Sequence, residues 1–275
     1  MSISLSKPAG RDETVSFLAA PSPSPRRFLG GWRAVAACLL MVSASGQAID
    51  RPGHPEVTTT PGLSRLDTDL VDDISRRAFR YFWEWTDPNT GLTLDRARTD
   101  GKLEDNPNHE RVASIAATGF GLTAFCIAAD HRWISRSTAR ERVIPTLHYF
   151  AERAPEEHGW FYHYLDSVTG ERRWTSEVSS IDTALLLAGV LTVRQYFSDD
   201  PEIVQLATTI YDRVDFPWMM EGSETYFSHG WTPESGFIRY RWDTYSELMI
   251  LYVLGIGSPT HPISPASWCD SCAIA

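Results

Sequence analysis

Two carboxylates in this chain stand where acid–base chemistry could be done. Asp182 lies in Ser179-Ser180-Ile181-Asp182-Thr183-Ala184, and Glu247 closes Arg241-Trp242-Asp243-Thr244-Tyr245-Ser246-Glu247. Each opens a stretch that is otherwise apolar, and neither has a charge partner one helical turn downstream. Cleavage of a glycosidic bond asks for such a pair: a carboxylic acid gives its proton to the leaving oxygen, and a carboxylate activates water or attacks the anomeric carbon. An apolar helix beneath Glu247 would disfavour the charged form and lift its pKa toward that of a working acid. Helix capping also favours Asp and Glu in a first turn, so both meanings stay open on pattern alone.

The elements that would position these groups fall into two kinds. Amphipathic helices carry Leu70, Ile74, Ala78, Phe82 and Trp85, then Ser137 to Arg153 with Pro145 predicted to kink the helix or delay its start, then Ile203, Leu206, Ala207, Ile210 and Val214 behind Asp200-Pro201 as cap and first turn. Between them run segments apolar nearly all round, Val112 to Ala129, Ile181 to Tyr196 and Tyr245 to Ile256, which must be buried on every side. Outer-then-inner repeated about three times predicts an all-α fold of stacked helical hairpins. Turn-bounded stretches at Gly159 to Trp174 and Tyr226 to Trp242 predict short β-hairpins on one rim, the end toward which the inner helices point their first turns.

A formal net charge of -10 excludes electrostatic capture of nucleic acid or anionic lipid and favours a neutral partner. Arg26, Arg27 and Arg33 precede an apolar run from Ala34 to Val42 and small residues from Ser43 to Ala48. That order predicts a signal peptide within residues 1–48, cleavage near Ala48, a linker over 49–67, and a periplasmic or secreted product. The run is too short to span a bilayer. Cys126 reads as a small buried thiol, and Cys269-x-x-Cys272 lacks the context of a redox or zinc site. His229 and His261 lie in loops without paired ligand spacing, so neither metal nor organic cofactor is expected.

Three long motifs, Ser179 through Gly189, Ser228 through Phe237 and Trp242 through Pro262, occur in the order seen in the glucoamylase-like domain family, which this chain resembles from about Leu70 to Trp268. That family includes bacterial endo-β-1,2-glucanases and the transglycosylation domain of cyclic β-1,2-glucan synthases. The resemblance implies an (α/α)6 barrel and catalysis on glucan, most simply β-1,2-glucan. It assigns Glu247 as general acid and Asp182 as the carboxylate, with Trp242, Asp243, Arg241, Tyr245 and His261 lining sugar subsites and Trp231 nearby. An α-glucan hydrolase and a glycan-binding fragment without turnover are the competing readings. The chain supplies about half the hairpins of such a barrel, over 68–268, before a tail at 269–275 without family character. An open half-barrel would expose apolar faces, which predicts self-association.

Overall fold

The structure, a computed structural model, describes residues 64–98, 100–101, 106–244 and 246–268. The expected signal segment at 1–48, the linker up to residue 63, Tyr245 and the 269–275 tail with Cys269 and Cys272 lie outside the described residues. Six longer helices alternate as expected between outer and inner positions. The outer ones are α1 (Arg65–Trp85), α3 (Arg136–Glu152) and α5 (Pro201–Asp212); the inner ones are α2 (Ile115–Asp130), α4 (Ser180–Tyr196) and α7 (Met249–Gly257). A single-turn helix, α6 (Phe216–Met219), links α5 to the last hairpin. None of the described helices is long and apolar enough to cross a membrane.

Caps fix the helix starts. Ser64, Ser114, Ser135 and Ser179 each accept a hydrogen bond from a backbone N–H of the first turn, and Asp200 accepts two, with Pro201 directly behind it. Pro145 does not delay α3, which starts at Arg136 and runs through it. The third inner helix is shorter than its apolar pattern, because residues 246–248 precede its first turn.

α4 packs against both α2 and α7 in the inner layer, α1 and α3 lie on α2, and α5 lies on α4 and α3. The α2–α4 contact is backbone to backbone. A Cβ placed on Gly119 would fall 2.6 Å from the Leu186 Cα, and one on Gly189 would fall 2.8 Å from the Gly119 Cα. Only glycine permits that approach. Around it Leu122, Phe125, Leu186, Leu187 and Val190 are buried, and each such side chain contributes roughly 1.5–3 kcal/mol of transfer free energy. Cys126 joins this core as a free thiol, its pKa pushed up to about 12 by burial.

The apolar stripe of α1 is only partly used. Phe79 is buried, but Leu66, Leu70, Val71 and Ile74 are exposed, so among the described residues nothing covers these side chains of the first turns. Phe120 and Ile127 on α2 and Met249 and Val253 on α7 are exposed as well, along the sides of the inner helices that face no neighbour in the described chain.

Short strands lace the starts of the inner helices. β1 (Val112–Ser114) runs straight into α2 and pairs antiparallel with β4 (Tyr164–Asp166). β5 (Val178–Ser179) runs into α4 and pairs with β6 (Gly230–Thr232), which forms a hairpin with β7 (Gly236–Phe237) around the Pro233-Glu234-Ser235 turn. The first expected hairpin resolves into two features. β2 (Glu156–Glu157) and β3 (Trp160–Phe161) close on a two-residue turn at His158 and Gly159, both with positive φ, and Leu165 bridges Arg172 farther on. His158 in a left-handed conformation gave no Asn-Gly type signal, which is why that turn was not legible.

Candidate active site

Asp182 is the third residue of α4. Ser179, the cap, accepts a hydrogen bond from the Asp182 N–H at 3.3 Å and donates its own hydroxyl to the Asp182 carboxylate. Asp182 is therefore a capping residue, and its other oxygen is turned to chemistry the cap does not need: Oδ1 lies 3.5 Å from His163 Nε2. His163 is held from the far side by Glu177, whose Oε1 is 2.9 Å from Nδ1. The three side chains are half-buried together, with ligating atoms all within 4.8 Å of one another.

Charge is divided unevenly in this row. Burial pushes the pKa of Glu177 up, but the hydrogen bond from His163 and nearby positive charge bring it below the ordinary glutamate value. For His163 burial works downward, yet Glu177, Asp182 and Asp95 together raise it, so the imidazolium is favoured. Asp182 ends above the usual aspartate range, because burial outweighs the help of His163 and Ser179, and Glu177 adds repulsion. A half-buried carboxyl with a raised pKa thus stands at Asp182, at the start of the second inner helix.

Glu247 is exposed in the turn that precedes α7, so the apolar helix expected beneath it does not bury it. Trp242 reaches the first turn of α4 at Ser180 rather than at Asp182: its Nε1 donates to Ser180 Oγ at 2.9 Å, and its ring stacks on His229 at 4.1 Å between centroids. Trp231 sits in β6 opposite Val178 and packs on Trp218, one strand away from the cap of α4. Arg241 pairs with Glu221, and its Nη1 is buried without a hydrogen-bond partner among the described residues. Asp243 is exposed. His261 is not brought to this group: it lies beyond the C-terminal end of α7, bonded to Ser258 and Thr260, whereas Glu247 and Asp182 lie at helix N-terminal ends.

His163 and Glu177 escaped the sequence reading. Glu177 precedes β5 and His163 precedes β4, so neither lies on a helix where periodicity would mark it. A main-chain thread joins them to the rest of the rim. Ile115 donates to the His163 carbonyl and His163 to that of Glu177; Ser180 donates to His229 and His229 to Tyr240. A cavity of about 530 Å³ between Met220, Gly222, Ile263 and Ser267 lies away from this group.

The family model described as "Putative glucoamylase" matches residues 239–274, a span that runs into the 269–275 tail expected to lack family character. An exo-β-1,2-glucooligosaccharide sophorohydrolase (non-reducing end) of Parabacteroides distasonis is 26% identical over 235 residues, covering 82% of this chain and 31% of that protein. The endo-β-1,2-glucanase of Chitinophaga pinensis, solved with sophorotriose and glucose, superposes with a TM-score of 0.63 at 27% identity, covering 76% of this chain and 50% of that one. A β-1,2-glucanase from Parabacteroides distasonis superposes with a TM-score of 0.62 at 26% identity over 74% of this chain and 29% of its own length. The chain thus spans about a third of the curated relative and half or less of these two solved structures. The resemblance read from the sequence is borne out: the chain is similar to the putative glucoamylase family model and to β-1,2-glucanases over part of their length.

Proposed function

We propose that this chain carries a glycoside hydrolase site for glucan, with β-1,2-linked glucan as substrate and Asp182 and Glu247 as its carboxyl pair. The observation that supports it most is the setting of Asp182, half-buried at the start of an apolar inner helix with a raised pKa, in a chain similar to β-1,2-glucan hydrolases. A carboxyl so placed is suited to hold a proton for the leaving oxygen, and Glu247, exposed at the same end of the inner layer, to act as the carboxylate. This reverses the division of roles expected from the sequence. Trp242, held by Ser180 and His229, would offer an aromatic wall at the start of α4. The apolar segment before Ala48 makes export to the periplasm or medium part of the same proposal.

The open sides of α2 and α7 support a second copy of this chain as partner, since exposed phenylalanine, isoleucine, methionine and valine there gain by being covered. The test of function is cleavage of linear β-1,2-glucan, with α-linked glucan in parallel, by the 275-residue chain and by Asp182→Asn and Glu247→Gln. Loss of general acid or base should lower kcat/KM by about 10²–10⁴-fold. Cleavage by Asp182→Asn at the parent rate would remove Asp182 from the mechanism. Binding without turnover by the parent would favour a glycan-binding fragment.

A further inference from the structure

Trp174 has no part in the carboxyl chemistry and has no packing role that explains its place. It lies in the turn between Arg173 and Ser176, closed by the Ser176 N–H to the Arg173 carbonyl, with φ at 53°. A bulky residue in the left-handed region is strained, and glycine would sit there without cost. Nor does burial explain the indole, which is 46% exposed.

What the neighbours do is hold it. His109, from the loop before β1, meets it edge-on with centroids 5.5 Å apart, and Tyr164, from β4, meets it edge-on at 5.1 Å. Neither ring lies flat against the indole. Tyr164 in turn stacks on His163 at 3.7 Å, and His163 reaches Asp182. The exposed indole is therefore joined through two successive ring contacts to the carboxyl group.

We propose that Trp174 is a sugar-stacking platform, binding the C–H face of a pyranose ring one or two residues along the glucan from the bond at Asp182. This rests on the reading of Asp182 as the reacting carboxyl. An amphipathic ring braced at its edges costs little conformational entropy when a ligand lies on it, which suits it to set the path of a neutral chain. The strain at its backbone is accepted because the indole is needed in that position.

The experiment is calorimetric titration of linear β-1,2-glucooligosaccharide into the full chain carrying Asp182→Asn, with and without Trp174→Gly or Trp174→Phe, alongside thermal unfolding of each. The expected result is an affinity lowered about tenfold by Trp174→Gly, partly kept by Trp174→Phe, with Tm unchanged or raised because the backbone strain is relieved. Unchanged affinity in Trp174→Gly, while the parent binds, would overturn the platform and leave the Asp182 reading standing. No binding of any glucan by the parent would overturn both.

Discussion

Substituting Gly189 by alanine tests whether the α2–α4 contact sets the geometry of the site. In an exposed helix interior this change stabilises by about 1 kcal/mol, since alanine is the better helix former. Here the new methyl would sit 2.8 Å from the Gly119 Cα, while ordinary contact begins at 3.4 Å, and the atoms it meets are backbone rather than a flexible side-chain end. The helices must part by at least several tenths of an ångström, which loosens Leu122, Leu186 and Val190 around them. Overpacking of this kind costs about 1–3 kcal/mol. After the propensity gain is set against it, the expected net destabilisation is about 0–2 kcal/mol. Urea unfolding followed by circular dichroism measures it, with the m-value unchanged. Gly257→Ala is the control: it has only the Tyr211 hydroxyl at 3.6 Å near the new methyl and should be neutral. A Gly189→Ala protein more stable than the parent would refute the close packing. Asp182 rides on the first turn of α4, so the same variant should also lose hydrolytic rate.

Asp166 is buried, and its carboxylate accepts from the backbone N–H groups of Val168 and Thr169 and pairs with Arg111 at 2.6 Å. Asp166→Ala should cost about 1–3 kcal/mol in a denaturant titration, because the Val168 and Thr169 N–H groups and Arg111 lose a charged acceptor. Burial pushes the Asp166 pKa up, but these donors outweigh it and hold the group below its ordinary value. Its stabilisation is therefore present above the unfolded aspartate pKa and is lost as pH falls through the folded one, so an acid titration of the parent should be steeper than that of Asp166→Ala. Phe120→Ser together with Val253→Ser should shift the chain from a dimer to a monomer in light scattering; a parent that is already monomeric at micromolar concentration would refute the self-association proposed for the open face.

Much of this fold was legible in the sequence because its helices are written in period. The outer helix behind Asp200 carries its cap and its stripe at Ile203, Ala207 and Ile210, and the inner ones read as apolar all round because they are pressed between layers. Coverage was not legible. Leu70 and Ile74 satisfy the helical pattern and are exposed, since a pattern marks which face is apolar and not whether a partner exists. Asp182 could be found because it opens a helix. His163 and Glu177 could not, because strands of two or three residues show no alternation and the pairing that joins the two is between segments, not within one. Trp174 was hidden for a related reason: its left-handed turn lacks the glycine or asparagine that announces one.

The main-chain thread along the rim bears on the order in which the chain folds. Each helical hairpin can form from contacts close in sequence, whereas the bonds from Ile115 to His163 and from Ser180 to His229 close long loops and are entropically late. The carboxyl, imidazole and indole groups all sit on that late-forming edge. A chain that has gained its hairpins without closing the thread would already give a full helical signal in circular dichroism and would still possess no site.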